Sequence, residues 1–172
     1  MKRILFYLCL AFALLLVGAC GSTQEPAVTT EEITTAEEPN PFVGTWVLNV
    51  DKSTYNPPSS APKSTIFTIV AQDGGLKWTS DNVDAAGKAT KGGWSGKYDG
   101  KDYALTENAD VDAIAAKMIN ANTFESVSKK DGEVVGTGRG VVSEDGKTLT
   151  LTSETKNAQG QETTSVGVYD KQ

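Results

Sequence analysis

Asp145-Gly146-Lys147-Thr148-Leu149-Thr150-Leu151-Thr152 carries the two signals that decide the fold. An Asp-Gly pair suits the positive-φ backbone of a tight hairpin turn, because glycine has no Cβ to clash and aspartate tolerates that conformation. The alternation that follows puts Leu149 and Leu151 on one face of a strand and three threonines on the other, so one face is buried and one is wet. The pair recurs at Asp73-Gly74, Asp99-Gly100 and Asp131-Gly132, each flanked by runs rich in Val, Thr, Ile and aromatic residues. Gly87 and Gly160 mark two further turns before strand-like runs. Antiparallel strands following one another as a meander are therefore predicted.

About ten strands are expected, over 43–50, 64–72, 75–81, 88–98, 101–107, 113–119, 123–129, 133–143, 147–156 and 162–169. In the first, Gly44, Trp46, Leu48 and Val50 alternate with Thr45, Val47 and Asn49. A meander of this length exposes two edges unless it closes, and closure removes that aggregation hazard. The expected fold is all-β, an antiparallel up-and-down barrel of about 8–10 strands, and residues 41–172 suffice for one such domain with its own core. Residues 109–121 fit a strand or a short helix equally, since Val111, Ile114 and Met118 have helical spacing. Residues 51–63, with Pro57, Pro58 and Pro62, read as too irregular for sheet and as a candidate lid over one barrel end.

The N-terminus has the form of an export leader: Lys2 and Arg3, an apolar run over 4–17, then Val17-Gly18-Ala19-Cys20. The run is shorter than the roughly 20 residues of a bilayer span. Its end resembles the lipobox of bacterial lipoproteins, with Val17 where that pattern usually has Leu; an ordinary secretory leader cut after Ala19 is the alternative. The resemblance implies a signal peptide over 1–19, a Cys20 thiol bearing diacylglycerol, an acylated new N-terminus and a place in the bacterial cell envelope. Gly21 stands where an inner-membrane sorting signal would have Asp, so the outer membrane is expected. Residues 20–40 contain Glu25, Glu31, Glu32, Glu37 and Glu38 and no basic residue, the composition of a disordered, extended tether.

Composition excludes several function classes. The chain has no histidine, which removes the commonest general base and transition-metal ligand together. Its two cysteines are Cys9, in the leader, and Cys20, so no disulfide is expected. Loss of Lys2 and Arg3 takes the formal charge from -6 to -8, which disfavours nucleic acid and anionic headgroups as partners. No Gly-x-Ser-x-Gly stands in the mature chain and no histidine can activate a serine, so catalysis is not expected. Asp81, Asp84, Asp110 and Asp112 lack the Gly and terminal Glu of a calcium loop and read as solvated turns. No cofactor or metal is expected, and the protein is read as a monomer.

Gly44-Thr45-Trp46 opening the first strand, Leu48-Asn49, Asp51-Lys52-Ser53, Tyr98-Asp99-Gly100-Lys101-Asp102-Tyr103 and Asp145-Gly146-Lys147-Thr148-Leu149-Thr150 together resemble a group of small bacterial lipocalin-like proteins, most without an assigned biochemical role. The resemblance covers 42–172 and implies a small calycin-type barrel, possibly with an apolar interior. Typical lipocalins also place a late arginine over the signature Trp. The one arginine after the leader, Arg139, departs from that position, lying about three strands from the end.

Arg139 shares a strand face with Val135, Thr137 and Val141, while Gly136, Gly138 and Gly140 occupy the other. With the valines inward, Arg139 is inward too and requires an internal carboxylate or a ligand carboxylate, or else stacks as a cation on Trp46. With the glycines inward, room opens for a large aromatic or for cargo, and Arg139 goes to solvent. Arg139, Trp46, Trp78, Trp94 and Tyr103 are the candidate ligand-binding residues, although aromatics in so small a barrel serve equally as core. The function expected is that of a lipid-anchored module binding a small hydrophobic or amphipathic molecule. The alternative is a non-enzymatic envelope interaction protein with a filled barrel. Interior volume separates the two.

Overall fold

The computed structural model describes residues 39–106, 108–156 and 160–172. Cys20, the leader and all of the acidic segment before residue 39 lie outside them. Among the described residues eleven strands occur: β1 Gly44–Leu48, β2 Thr54–Asn56, β3 Ser64–Gln72, β4 Gly75–Val83, β5 Ala89–Gly96, β6 Asp99–Thr106, β7 Ala113–Asn120, β8 Thr123–Lys130, β9 Glu133–Val142, β10 Thr148–Lys156 and β11 Glu162–Lys171. From β3 to β11 each strand pairs antiparallel with the next. β1 closes the sheet by pairing with both β3 and β11, through Trp46↔Phe67 and Trp46↔Lys171.

β2 pairs with the edge of β11 that β1 also uses, through Thr54↔Val166 and Asn56↔Thr164. β1 and β2 are thus two segments of one barrel position, broken by a single 3₁₀ turn, Val50–Lys52, and the fold is a closed ten-stranded meander. Side chains replace the ladder at the break. Asn49 Oδ1 accepts from Lys52 N at 3.2 Å, while Ser53 Oγ donates to Asn49 O at 2.7 Å and accepts from Val168 N at 2.9 Å. Residues 51–63 are accordingly less irregular than expected, since Thr54–Asn56 is sheet. The ambiguous 109–121 contains a strand and no helix: Ala113–Asn120 pairs along β8, and the ladder outweighs its helical spacing.

The Asp-Gly pairs divide. Both residues have positive φ at Asp73-Gly74 (50°, 72°) and Asp131-Gly132 (50°, 85°), as a two-residue hairpin turn requires. At Asp145-Gly146 only the glycine does, at 69°. There the connection is longer, held by Gly146 N to Ser143 O at 2.9 Å and by Ser143 Oγ to the Asp145 carboxylate at 2.6 Å. Asp99-Gly100 is not a turn: it lies inside β6, where the register against β7 shifts between Asp99 and Asp102.

One end of the barrel is plugged. Phe42, Trp46, Ile69 and Leu149 are fully buried there, with Leu76 and Val142 beside them. Asn40 builds the plug, its Oδ1 accepting from Phe42 N at 3.0 Å and its carbonyl from Val43 N at 3.0 Å. The Trp46 indole N–H donates to the Phe42 carbonyl at 2.8 Å. The cation over Trp46 is Lys171, with Nζ 4.8 Å from the ring centroid and a hydrogen bond to Pro41 O at 3.3 Å; Arg139 does not take that place. Gly44 is needed here, since at φ 145° an added Cβ would stand 2.6 Å from Lys171 Cε. Closure and core are both made within Asn40–Lys171.

Trp46→Phe leaves the buried Phe42 carbonyl without its donor and opens a gap in the plug, and a loss of about 2–4 kcal/mol is expected. Trp94→Phe should cost less than half as much, because the Trp94 indole N–H is buried without an acceptor among the described residues. Urea midpoints at unchanged m-value measure both.

Candidate ligand-binding site

Above the plug the barrel encloses a cavity of about 480 Å³. Its composition follows from side-chain alternation along each strand. Running from plug to mouth, the inward positions read Ile69, Phe67, Thr65 on β3; Leu76, Trp78, Ser80, Asn82 on β4; and Phe124, Ser126, Ser128 on β8. On β10 they read Leu149, Leu151, Ser153, Thr155, and on β11 Tyr169, Gly167, Ser165, Thr163. Each of these five stripes changes from apolar to polar, mostly hydroxyl-bearing, at a similar height, so an aromatic floor meets a polar upper wall on these strands.

The floor is a set of interlocked rings. Phe67 meets Trp78 edge-on with centroids 5.5 Å apart, Trp78 meets Phe124 at 5.9 Å, and Tyr98 meets Phe124 at 5.2 Å. Trp78 Nε1 donates to the Tyr98 hydroxyl at 3.1 Å, which fixes both rings. The wall hydroxyls partly satisfy one another: Thr65 Oγ1 donates to Asn82 Oδ1 at 2.7 Å, and the Ser153 and Ser165 hydroxyls lie 2.8 Å apart. Tyr55, Pro62, Thr90 and Asn108 form the rim. The proline-rich segment expected as a lid contributes two of these, Tyr55 and Pro62.

The strand of glycines faces inward. A Cβ on Gly140 would lie 2.2 Å from Phe124 Cε1, so the ring rests on the bare backbone opposite it; on Gly138 it would lie 2.7 Å from Ser126 Oγ. Arg139 is therefore outward. Its Nη1 meets Glu125 Oε1 at 2.7 Å, with both side chains about half exposed, and the inward Arg139 of the opposite register is corrected. Phe124 claims the glycine face, and Glu125 follows it to the outside as the cross-strand partner of Arg139. Trp78 and Trp94 line the cavity. Trp46 lies in the plug instead, and Tyr103 packs on Trp94 with its hydroxyl donating to Asp99 at 3.2 Å. The wall serines were missed from sequence, although their signal, hydroxyls succeeding apolar residues at alternate positions, was there.

Burial pushes the phenols of Tyr98 and Tyr169 far above the ordinary 10.0, the Trp78 hydrogen bond opposing this slightly at Tyr98 and the Tyr55 phenol reinforcing it at Tyr169. Burial also raises Tyr55, against a Ser53 hydrogen bond. These groups face the cavity as neutral hydroxyls. A raised folded value confers stability that is complete below 10.0 and is lost as pH climbs toward the folded value. The urea midpoint should thus hold steady from neutral pH and fall above pH 10.0, with phenolate absorbance from Tyr98 and Tyr169 emerging only on unfolding.

No family model matches the sequence, and no curated protein matches it. Among solved structures the chain is similar to the zebrafish ileal bile acid-binding protein complexed with cholic acid, at 14% identity and a TM-score of 0.46, covering 77% of this chain and 99% of that one.

Proposed function

We propose that this protein is a binding module of the bacterial cell envelope, anchored through lipid on Cys20, whose barrel holds a small hydrophobic or amphipathic molecule. The observation that carries the binding reading is the cavity of about 480 Å³ over an aromatic floor, within the range of small-molecule pockets. A barrel acting only through its outer face has no use for such a space, and filling it with apolar side chains would add stability. The anchor reading rests on the leader sequence alone. Two or more acyl chains are enough for stable membrane attachment.

Native mass spectra of the chain from Gly21 onward, before and after organic extraction and with isoprenoid alcohols and fatty acids added back, test the binding reading. A discrete adduct is expected, and it should be lost in Ser126→Phe, which places a ring in the cavity opposite Gly138. A bare mass under every condition would end the reading. For the anchor, Cys20→Ser should abolish incorporation of a labelled fatty acid and shift the protein from the membrane to the soluble fraction.

A further inference from the structure

The wall above the aromatic floor has an electrostatic character that narrows the ligand class. Among the described residues the cavity lining includes no carboxylate, and its two cationic residues, Lys91 and Arg139, sit at outward strand positions, ion-paired with Asp81 and Glu125. An ionised ligand group held there would lose its water without gaining a counter-charge, which is among the costliest arrangements a protein interior offers. The hydroxyls are plentiful by contrast. Ser80, Ser126 and Ser128 line the cavity and make no side-chain hydrogen bond with the described residues. Each offers one donor and two acceptor positions to an occupant. Glycine opposite two of them keeps the space clear, since a Cβ at Gly92 would lie 3.0 Å from Ser80 Oγ and one at Gly138 2.7 Å from Ser126 Oγ.

We infer that the cavity takes an uncharged amphiphile whose polar end carries several hydroxyl groups, with its apolar end on Trp78 and Phe124 and its hydroxyls on the serine wall. This rests on the binding reading above and adds the ligand's chemistry to it. A wall built to bond hydroxyls discriminates strongly against a ligand that lacks them, because its own polar groups are then left without partners. Neutral phenols at Tyr98 and Tyr55 extend the same surface without adding charge.

Calorimetric titration of the chain from Gly21 onward with octyl glucoside and octanoate, each below its micellar concentration, and with 1-octanol below its solubility limit, tests the inference. The three share one alkyl chain and differ in head: many hydroxyls, one hydroxyl, one charge. The glucoside should bind best, at least about tenfold tighter than octanoate. Replacing Ser80, Ser126 and Ser128 together by Ala should weaken the glucoside about tenfold and leave octanol within about twofold, as the loss of a few net hydrogen bonds implies. Octanoate binding as tightly as the glucoside, or a triple variant that holds the glucoside unchanged, overturns the inference and leaves the binding reading standing. If none of the three binds, the inference falls, and the native mass spectra decide the binding reading separately.

Discussion

Closure of the barrel by β1 is the constraint on which the rest depends. β1 is only five residues long, yet it supplies the pairing that turns a ten-position meander into a ring without edges. So short a strand cannot hold by ladder hydrogen bonds alone. It is fixed by Trp46, which spends its one N–H on the Phe42 carbonyl, lies under Lys171 and packs in the fully buried plug. The plug and the closure are therefore the same interaction. The turn at Asn40 places Phe42, Phe42 receives Trp46, and Trp46 carries β1 into the gap between β3 and β11.

Concentrating apolar burial at one end frees the other. A barrel of this size can be filled by side chains, and here the lower half is. The upper half substitutes small hydroxyl-bearing residues and gives up apolar burial to keep space, with wall pairs such as Ser153 and Ser165 limiting the cost of interior polar groups. The sheet is also uneven around its circumference. Among the described residues β5 and β6 share only the pairs Gly93↔Thr106 and Trp94↔Leu105, whereas β3 and β4 share nine. Such a seam opens at lower free energy than its surroundings, and Gly92, Gly93 and Thr106 on it border the cavity.

Much of this was legible in the sequence. Period-two alternation and glycine turns located ten of the eleven strands, most to within two residues, because one-sided burial leaves a direct mark on sequence. What failed had a common cause, in that the deciding partner lay on another strand. Whether Arg139 faced in or out depended on Phe124 taking the glycine face, a contact across strands rather than along one. β2 was hidden among prolines because three residues carry no period, and only β11 makes them sheet. Asp99-Gly100 looked like a turn and lies instead at a register shift inside β6, since a positive φ at Gly100 serves either. Trp78 and Trp94 lay on the cavity as aromatics on inward positions, while Trp46 and Tyr103, identical in kind, were claimed by the plug and by a carboxylate.

The C-terminal strand touches three others, β10 along its whole length and β1 and β2 along the far edge. Its partners there are distant in the chain, Asn49 reaching Asp170 across 121 positions. As the polypeptide is synthesised, nine barrel positions can assemble before the last exists, and during that interval the sheet is an open ribbon with its interior wet. Only the ten residues of β11 convert it to a vessel. The search for that late, long-range contact is slow by topology, and a message truncated just short of Glu162 encodes a sticky open ribbon rather than a slightly shorter container.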